Sequence, residues 1–263
     1  MKMPPVFLSV LLLGMMKMPF GCGEHKAQSH APAPLGTNAP AAQAGVGQPA
    51  MAKPLPVPET GPSVVIASPV RNEVVDSSDV GVFLKVQGLP ADSGSHVHIM
   101  LDSQPPEMMT DPVLPLVFRQ VKPGLHVVRA FACDGDHVSF KNRTAFSMVW
   151  FKVAGVGEGE TFDPALPTLT FNLPGATCSR ADEKNLPVDF LLSGLSLGDM
   201  RAWRVRVTLD GEQKFLLDAS DYIEVFLPSL ASGAHAVRLE LLDGQGRQMK
   251  ANFCWSERTV RVR

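Results

Sequence analysis

Three observations predict an all-β chain of two tandem immunoglobulin-like antiparallel β-sandwiches behind a disordered N-terminal tether: short alternating apolar and polar runs, turn residues every 8 to 12 positions, and a segment that occurs twice. Gly124-Leu-His126-Val-Val128-Arg129 returns as Gly233-Ala-His235-Ala-Val237-Arg238, an offset of 109 (233 less 124). The same offset joins Val153 to Val262. Leu101-Asp102 and Leu209-Asp210 match 108 positions apart, and Val82 to Gly88 matches Val188 to Gly194 at 106, so loops absorb a small drift. The units run over residues 63–153 and 166–263, with a Gly-rich acidic linker over 154–165. No stretch of either unit has a helical period.

The chain before the first unit reads differently. Met1-Lys2-Met3-Pro4 precedes the apolar run Val6 to Met16, and Gly21 stands directly before Cys22, the order of a secretory leader over residues 1–21. The apolar run is about a dozen residues, short of the roughly 20 that cross a bilayer as a helix. Gly21-Cys22 resembles the bacterial lipobox, so Cys22 is the expected lipidation site, although Pro19 and Phe20 depart from the usual pattern. Residues 22–62 are dominated by Ala, Pro, Gly and Gln, which bury too little apolar surface to offset their ordering entropy, and read as a disordered spacer. The expected location is the outer membrane, attached through the lipid; the alternative is a soluble periplasmic or secreted protein. A net charge of -2 with no run of Lys or Arg gives no footprint for nucleic acid.

Strand parity assigns faces. In Trp203-Arg-Val205-Arg-Val207-Thr-Leu209 the apolar residues alternate, so Val205, Val207 and Leu209 point inward, as do Val97, Ile99 and Leu101 of the first unit. His126, Val128 and Ala130 go inward on the next repeated strand, and Val149, Phe151 and Val153 on the last. The opposite face of the first unit then gathers His96, His98, Met100, Arg129, Phe131, Cys133, Met148 and Trp150. The matching face of the second carries Arg204, Arg206, Arg238, Glu240, Glu257 and Arg261, a charge mosaic suited to water. An aromatic and apolar cluster facing outward marks a contact surface. The competing reading is that the other domain, the linker or an added strand covers that face.

His96-x-His98 puts two imidazoles on one side of a strand about 6.5 to 7 Å apart, a spacing that can chelate a metal. Met100, Met108, Met109, Cys133 and His137 would complete a soft copper site if the fold brings them to the pair. His126 and His235 stand at the position of the tyrosine corner of such sandwiches, where a polar ring reaches back to loop backbone, and are read as structural. Asp134-Gly135-Asp136 and Asp243-Gly244 are turn chemistry. Among the remaining cysteines Cys133, Cys178 and Cys254, only Cys178 and Cys254 lie in one domain, and whether they pair stays open. The chain has no Gly-x-Ser-x-Gly elbow, no His-Glu-x-x-His and no phosphate-cradling glycine loop, and it is read as a non-enzyme.

Four motifs in order carry a resemblance: His96-Val-His98; His137-Val-Ser139-Phe-Lys141-Asn142 leading to Ala145; Val188-Asp189-Phe190-Leu191-Leu192; and Leu239-Glu-Leu241-Leu242-Asp243-Gly244-Gln245-Gly246. The chain resembles a family of bacterial two-domain envelope lipoproteins that carry a phosphopeptide-binding label, their function not being established. The resemblance implies an envelope binding or scaffolding protein in which His137, Lys141 and Asn142 join His96 and His98 as site residues. Where the family has aromatic-Ser-Arg-Pro-Lys-Gly, this chain has Phe171-Asn-Leu-Pro174-Gly175, without the two basic residues that would meet phosphate.

Two functional readings follow. In the first, the outer sheet face of the first domain binds an envelope protein or glycan through His96, His98, Arg129, Phe131, His137, Lys141, Asn142 and Trp150, with no cofactor. In the second, the chain holds copper or zinc at His96, His98, Met100 and His137. Independently of either, mass spectrometry of the native protein is expected to find an acylated N-terminus at Cys22; an unmodified N-terminus elsewhere removes the anchor.

Overall fold

The computed structural model describes residues 60–91, 94–109, 111–173, 185–195, 203–219, 225–228 and 230–262. The leader, Cys22, the tether up to residue 59 and Cys178 lie outside the described residues. The first sandwich is built from β1 (Ser63–Ser68), β2 (Val74–Val75), β3 (Val80–Gln87), β4 (His96–Leu101), β5 (Glu107–Met109), β6 (Leu116–Phe118), β7 (Gly124–Cys133) and β8 (Phe146–Val153). The second is built from β9 (Thr168–Asn172), β10 (Asn185–Ser193), β11 (Arg204–Leu209), β12 (Glu212–Asp218), β13 (Val225–Pro228), β14 (Gly233–Leu242) and β15 (Trp255–Val262). The two topologies correspond strand for strand. The order β1-β3-β6 matches β9-β10-β13, and β5-β4-β7-β8 matches β12-β11-β14-β15; the first unit adds β2, which pairs in parallel with β8. Among the described residues no helix is long and apolar enough to cross a membrane.

Each sandwich closes on its own core, and strand parity holds in both. Val97, Ile99, Leu101, Val128, Ala130, Phe151 and Val153 lie in the first core, and Val205, Val207, Leu209, Val237, Leu239 and Leu241 in the second. Sealing each sandwich is the same corner. His126 Nδ1 meets Asp102 Oδ2 at 2.7 Å and its Nε2 meets the Lys122 carbonyl at 2.7 Å. His235 makes the equivalent contacts with Asp210 Oδ2 at 2.7 Å and the Ala231 carbonyl at 2.8 Å. Both aspartates adopt positive φ, 53° and 50°, and each accepts the backbone N–H that follows its histidine. The expected structural role of both histidines is what the contacts show. Cys254 is a free thiol buried in the second core, its Sγ donating to the Pro167 carbonyl at 3.2 Å, so it is in no disulfide.

The linker is docked along the first domain. Glu160 N–H donates to the Leu125 carbonyl at 2.7 Å, and Gly159 bridges Leu125 in parallel. Glycine is required for that approach: a Cβ on Gly159, whose φ is +62°, would lie 2.2 Å from Leu125 N, and one on Gly124 2.4 Å from Gly159 N. The linker thereby turns the second sandwich back over the first. All six residues of β4 and the last eight of β7 are buried, core-facing and outward-facing alike. Covering their outer side are β9 and β10. In β9, Leu169 and Phe171 enter the second core while Thr168, Thr170 and Asn172 meet the first domain. In β10, Val188 faces the second core while Asp189 and Leu191 face the first domain.

This corrects the expectation of an exposed binding face. The parity of His96, His98, Met100, Arg129, Phe131 and Cys133 is as read, but the second domain covers them, with 0 to 4% of each exposed. The outer face of β12-β11-β14-β15 is the charge mosaic expected of it: Arg206 and Arg238 both pair with Glu240, and Arg238 also reaches Glu257.

The histidine corner generates a pH prediction. Both nitrogens of His126 face acceptors, a carboxylate and a carbonyl, which favours the imidazolium, and the hydrogen bond that the ring donates to Asp102 raises its pKa above the ordinary 6.5. The stabilisation is fully present below the unfolded-state pKa of about 6.5 and is lost as pH rises through the raised folded value. Asp102→Asn, which tolerates the positive φ, is expected to lower thermal stability more at pH 5.5 than at pH 9. In an NMR titration it should bring the His126 midpoint back down.

Candidate metal centre between the two sandwiches

β4 carries His96 and His98 two residues apart on its outer face, and the turn after β7 brings a third imidazole to them. That turn is the repeated one: Asp134 Oδ1 accepts the N–H groups of Asp136 and Val138 at 2.9 Å, as Asp243 Oδ1 accepts those of Gln245 and Arg247 at 2.9 Å. Its fourth residue is His137 in the first domain and Gly246 in the second, both in the left-handed region, at φ 64° and 76°. A glycine takes that conformation at no steric cost, whereas a histidine there is strained by of order 1 kcal/mol or more. The strained backbone aims the His137 ring at the β4 pair.

Three ring nitrogens converge. His96 Nε2 lies 3.0 Å from His98 Nε2 and 2.9 Å from His137 Nδ1, and His98 Nε2 lies 3.3 Å from His137 Nδ1. With metal–nitrogen bonds of about 2.0 to 2.1 Å, these separations correspond to angles of about 90° to 107° at a shared ion, one face of a tetrahedron or octahedron. The three form the cluster of possible metal ligands among the described residues.

The surroundings assign the protons. Asn172, from β9, has its amide nitrogen 2.6 Å from Asp189 Oδ2 and 2.7 Å from the His137 carbonyl, two acceptors. Its Oδ1 is therefore the atom turned to His98 Nδ1, at 2.7 Å, and that nitrogen must donate. His96 Nδ1 likewise donates to the Gly94 carbonyl at 3.0 Å. The two Nε2 atoms are thereby left to face each other, at 3.0 Å. The three ring nitrogens lie close enough together for one cation to reach all of them. Burial is the main cause holding the His98 pKa down at about 4, with the two neighbouring histidines adding to it.

Beyond Asn172, the network continues to Asp189. Its Oδ2 accepts the Ser139 N–H at 2.8 Å, and its Oδ1 accepts the Ser139 hydroxyl at 3.0 Å and the Lys141 ammonium. Residues of the His-x-Ser-x-Lys-Asn and Val-Asp-Phe motifs thus meet across the domain boundary.

Other expected site residues have different work. Arg129 staples the second domain, donating to the Leu169 carbonyl at 3.2 Å, to Thr170 Oγ1 at 3.1 Å and to the Asp102 carbonyl. Met100 packs with Phe131, Cys133 and Leu191 in an apolar cluster. The Cys133 thiol in that cluster is held protonated by burial, its pKa raised. Lys141 pairs with Asp189, and Asn142 donates to the Pro62 carbonyl at 2.9 Å, tying down the chain before β1. Trp150 pairs with Val127, toward the opposite end of β7 from Phe131, and its ring rests 5.2 Å from linker Phe162. A cleft of about 570 Å³ lined by Asp102, His126, Lys122 and Glu160 lies at the histidine corner and includes none of the three clustered imidazoles.

Asn172, Asp189 and Gly94 were not read as site residues from the sequence. The available signal was the polar parity of Thr168-x-Thr170-x-Asn172, an unusual stripe for a strand whose other face is Leu169 and Phe171.

These features define the class: a tandem β-sandwich protein with a three-histidine cluster in its first domain, beside the interface with the second. No family model and no curated protein matches the sequence. Among solved structures, the chain is similar to the fibronectin(III)-like modules of Clostridium thermocellum CbhA at 16% identity, over 76% of this chain and 94% of that one, with a TM-score of 0.30. It is also similar to a Bacteroides ovatus protein, SGBP-B of a mixed-linkage glucan utilization locus, at 15% identity, over 76% of this chain and 47% of that one, TM-score 0.23. Chicken VE-cadherin EC1-2 matches at 11% identity, over 76% and 97% of the two chains, TM-score 0.23.

The strained turn yields a separable prediction. His137→Gly restores the residue used at the repeated position, so the metal-free protein should gain stability of order 1 kcal/mol in chemical denaturation with chelator present. Loss of stability in that assay would place the strain elsewhere.

Proposed function

We propose that the chain is a non-catalytic, envelope-attached metal-binding protein that holds a divalent transition-metal ion, zinc(II) or copper(II), on His96, His98 and His137. The observation that carries the reading is the convergence of three ring nitrogens, His96 Nε2 and His98 Nε2 at 3.0 Å with His137 Nδ1 completing the triangle. Three imidazoles without sulfur or carboxylate suit zinc(II) and copper(II), and do not favour magnesium or calcium, which take oxygen. The hydrogen bonds of His96 to Gly94 and of His98 to Asn172 are the outer contacts that hold metal-ligating imidazoles in one tautomer.

A non-catalytic role fits the surroundings. The carboxylate beyond the histidines, Asp189, already accepts from Ser139, Lys141 and Asn172, leaving it poorly placed as a general base. His96 and His98 are buried, and the access side is formed by the exposed Gly94, Gly135 and Asp136 of two adjoining loops. Attachment at Cys22 and an outer-membrane location are supported by the leader and the lipobox-like Gly21-Cys22 step.

Titration of the chelator-stripped protein with cobalt(II), zinc(II) and copper(II) tests this reading. One ion per chain is expected, with cobalt giving the visible absorption of a low-coordinate nitrogen site. The double substitution His96→Ala with His98→Ala should abolish binding, and His137→Gly should weaken it by at least tenfold. Stoichiometric binding that survives the double substitution would place the metal elsewhere.

A further inference from the structure

All three proposed ligands belong to the first sandwich, yet the residue that orients two of them belongs to the second. Asn172 accepts from the His98 ring through Oδ1 and donates to the His137 main-chain carbonyl through its amide. Asp189, also from the second domain, fixes the segment just after His137 through the N–H and hydroxyl of Ser139. With the second domain undocked, His98 Nδ1 would face water, either ring nitrogen could carry the proton, and the strained turn at His137 would lose its cross-domain ties.

We infer that the site is an interdomain clasp: metal occupancy and docking of β9 and β10 on the first sandwich are linked through Asn172, which acts as a positioning residue. This inference rests on the metal-binding reading above. Loss of an outer hydrogen-bond partner of a metal-bound imidazole lowers affinity by about 10- to 100-fold. Linkage is reciprocal, so the ion favours the docked arrangement by the same factor by which docking favours the ion. The rest of the interface is suited to such control. Among the described residues it holds a small apolar cluster, of Met100, Phe131, Cys133, Leu191 and Phe146, the Phe253 ring under the Arg129 guanidinium, and polar contacts of Arg129 to Thr170, Lys141 to Asp189 and Asn172 to His137. An interface of that composition depends on geometry and opens more readily than a continuous apolar core.

Cys133 provides the readout. It lies in the interface, fully buried, with Asn172 Nδ2 3.6 Å from its Sγ, so its alkylation requires undocking. Cys254, buried in the second core, reports unfolding of that domain instead. The experiment uses the full chain, zinc(II) as the probe, and alkylation rates at Cys133 and Cys254 read by peptide mass spectrometry. Zinc is expected to slow Cys133 alkylation by at least fivefold while changing the Cys254 rate much less. Asn172→Leu should weaken zinc binding by about 10- to 100-fold and shift the Cys133 protection to correspondingly higher zinc. Ser139→Ala, which touches none of the three rings, should move both quantities in the same direction by a smaller factor, and covers the case in which Asn172→Leu folds poorly. If the wild-type chain binds zinc at the histidines but Cys133 alkylation ignores it, the clasp is overturned and the metal reading stands. If zinc affinity is unchanged in both variants, Asn172 has no positioning role. If neither zinc nor copper binds the wild type, both inferences fall together.

Discussion

The side-chain amide of Asn172 has one acceptor and two donor positions, and its neighbours admit one orientation. Acceptors at Asp189 and at the His137 carbonyl claim the nitrogen, which turns the oxygen to His98. From that single orientation follow the donation of the His98 ring through Nδ1 and the turning of its Nε2 toward His96 and His137. It also depends on the docked second sandwich, which in turn depends on a linker close enough to β7 that only glycine fits. Backbone sterics at Gly124 and Gly159 and the orientation of the His98 ring are thus parts of one arrangement.

Much of the fold was readable from residues. Period-two alternation placed Val97, Ile99 and Leu101 and their partners Val205, Val207 and Leu209, and repetition announced that both sandwiches would share a strand order. His126 and His235 were readable because their corner is local: aspartate, histidine and carbonyl all lie within two neighbouring strands and their loops. The pair His96 and His98 was readable for the same reason. What local pattern could not supply was the cover. Parity says which way a side chain points from its own sheet and is silent on what arrives from another domain, so Arg129 and Phe131 looked solvent-facing when they are interface. Asn172 illustrates the limit well: on β9 it is one more polar residue of an alternating strand, and its role appears only when the tertiary contact to His98 is known.

Comparing the two repeats separates folding from function. Where both keep a feature, as with the histidine corners and the aspartate-anchored turns, the sandwich needs it. Where they differ against local preference, the difference calls for another cause. His137 in place of a glycine-type residue at φ 64° is such a case, since it makes the turn less comfortable and gains contact with His96 and His98. The histidines of β4, on a buried face, stand where β11 has the more exposed Arg204 and Arg206.

The arginine and glutamate mosaic on β11, β14 and β15 has a consequence for assembly. Tandem sandwiches that pack face to face in the manner seen here are in principle extendable, because each new unit brings an uncovered sheet of the same kind to receive the next. In this chain the second unit's corresponding sheet is lined with paired charges, Arg206 with Glu240 and Arg238 with both Glu240 and Glu257, which a further sandwich would have to strip of water. The paired charges of that sheet therefore disfavour the docking of a further sandwich on it.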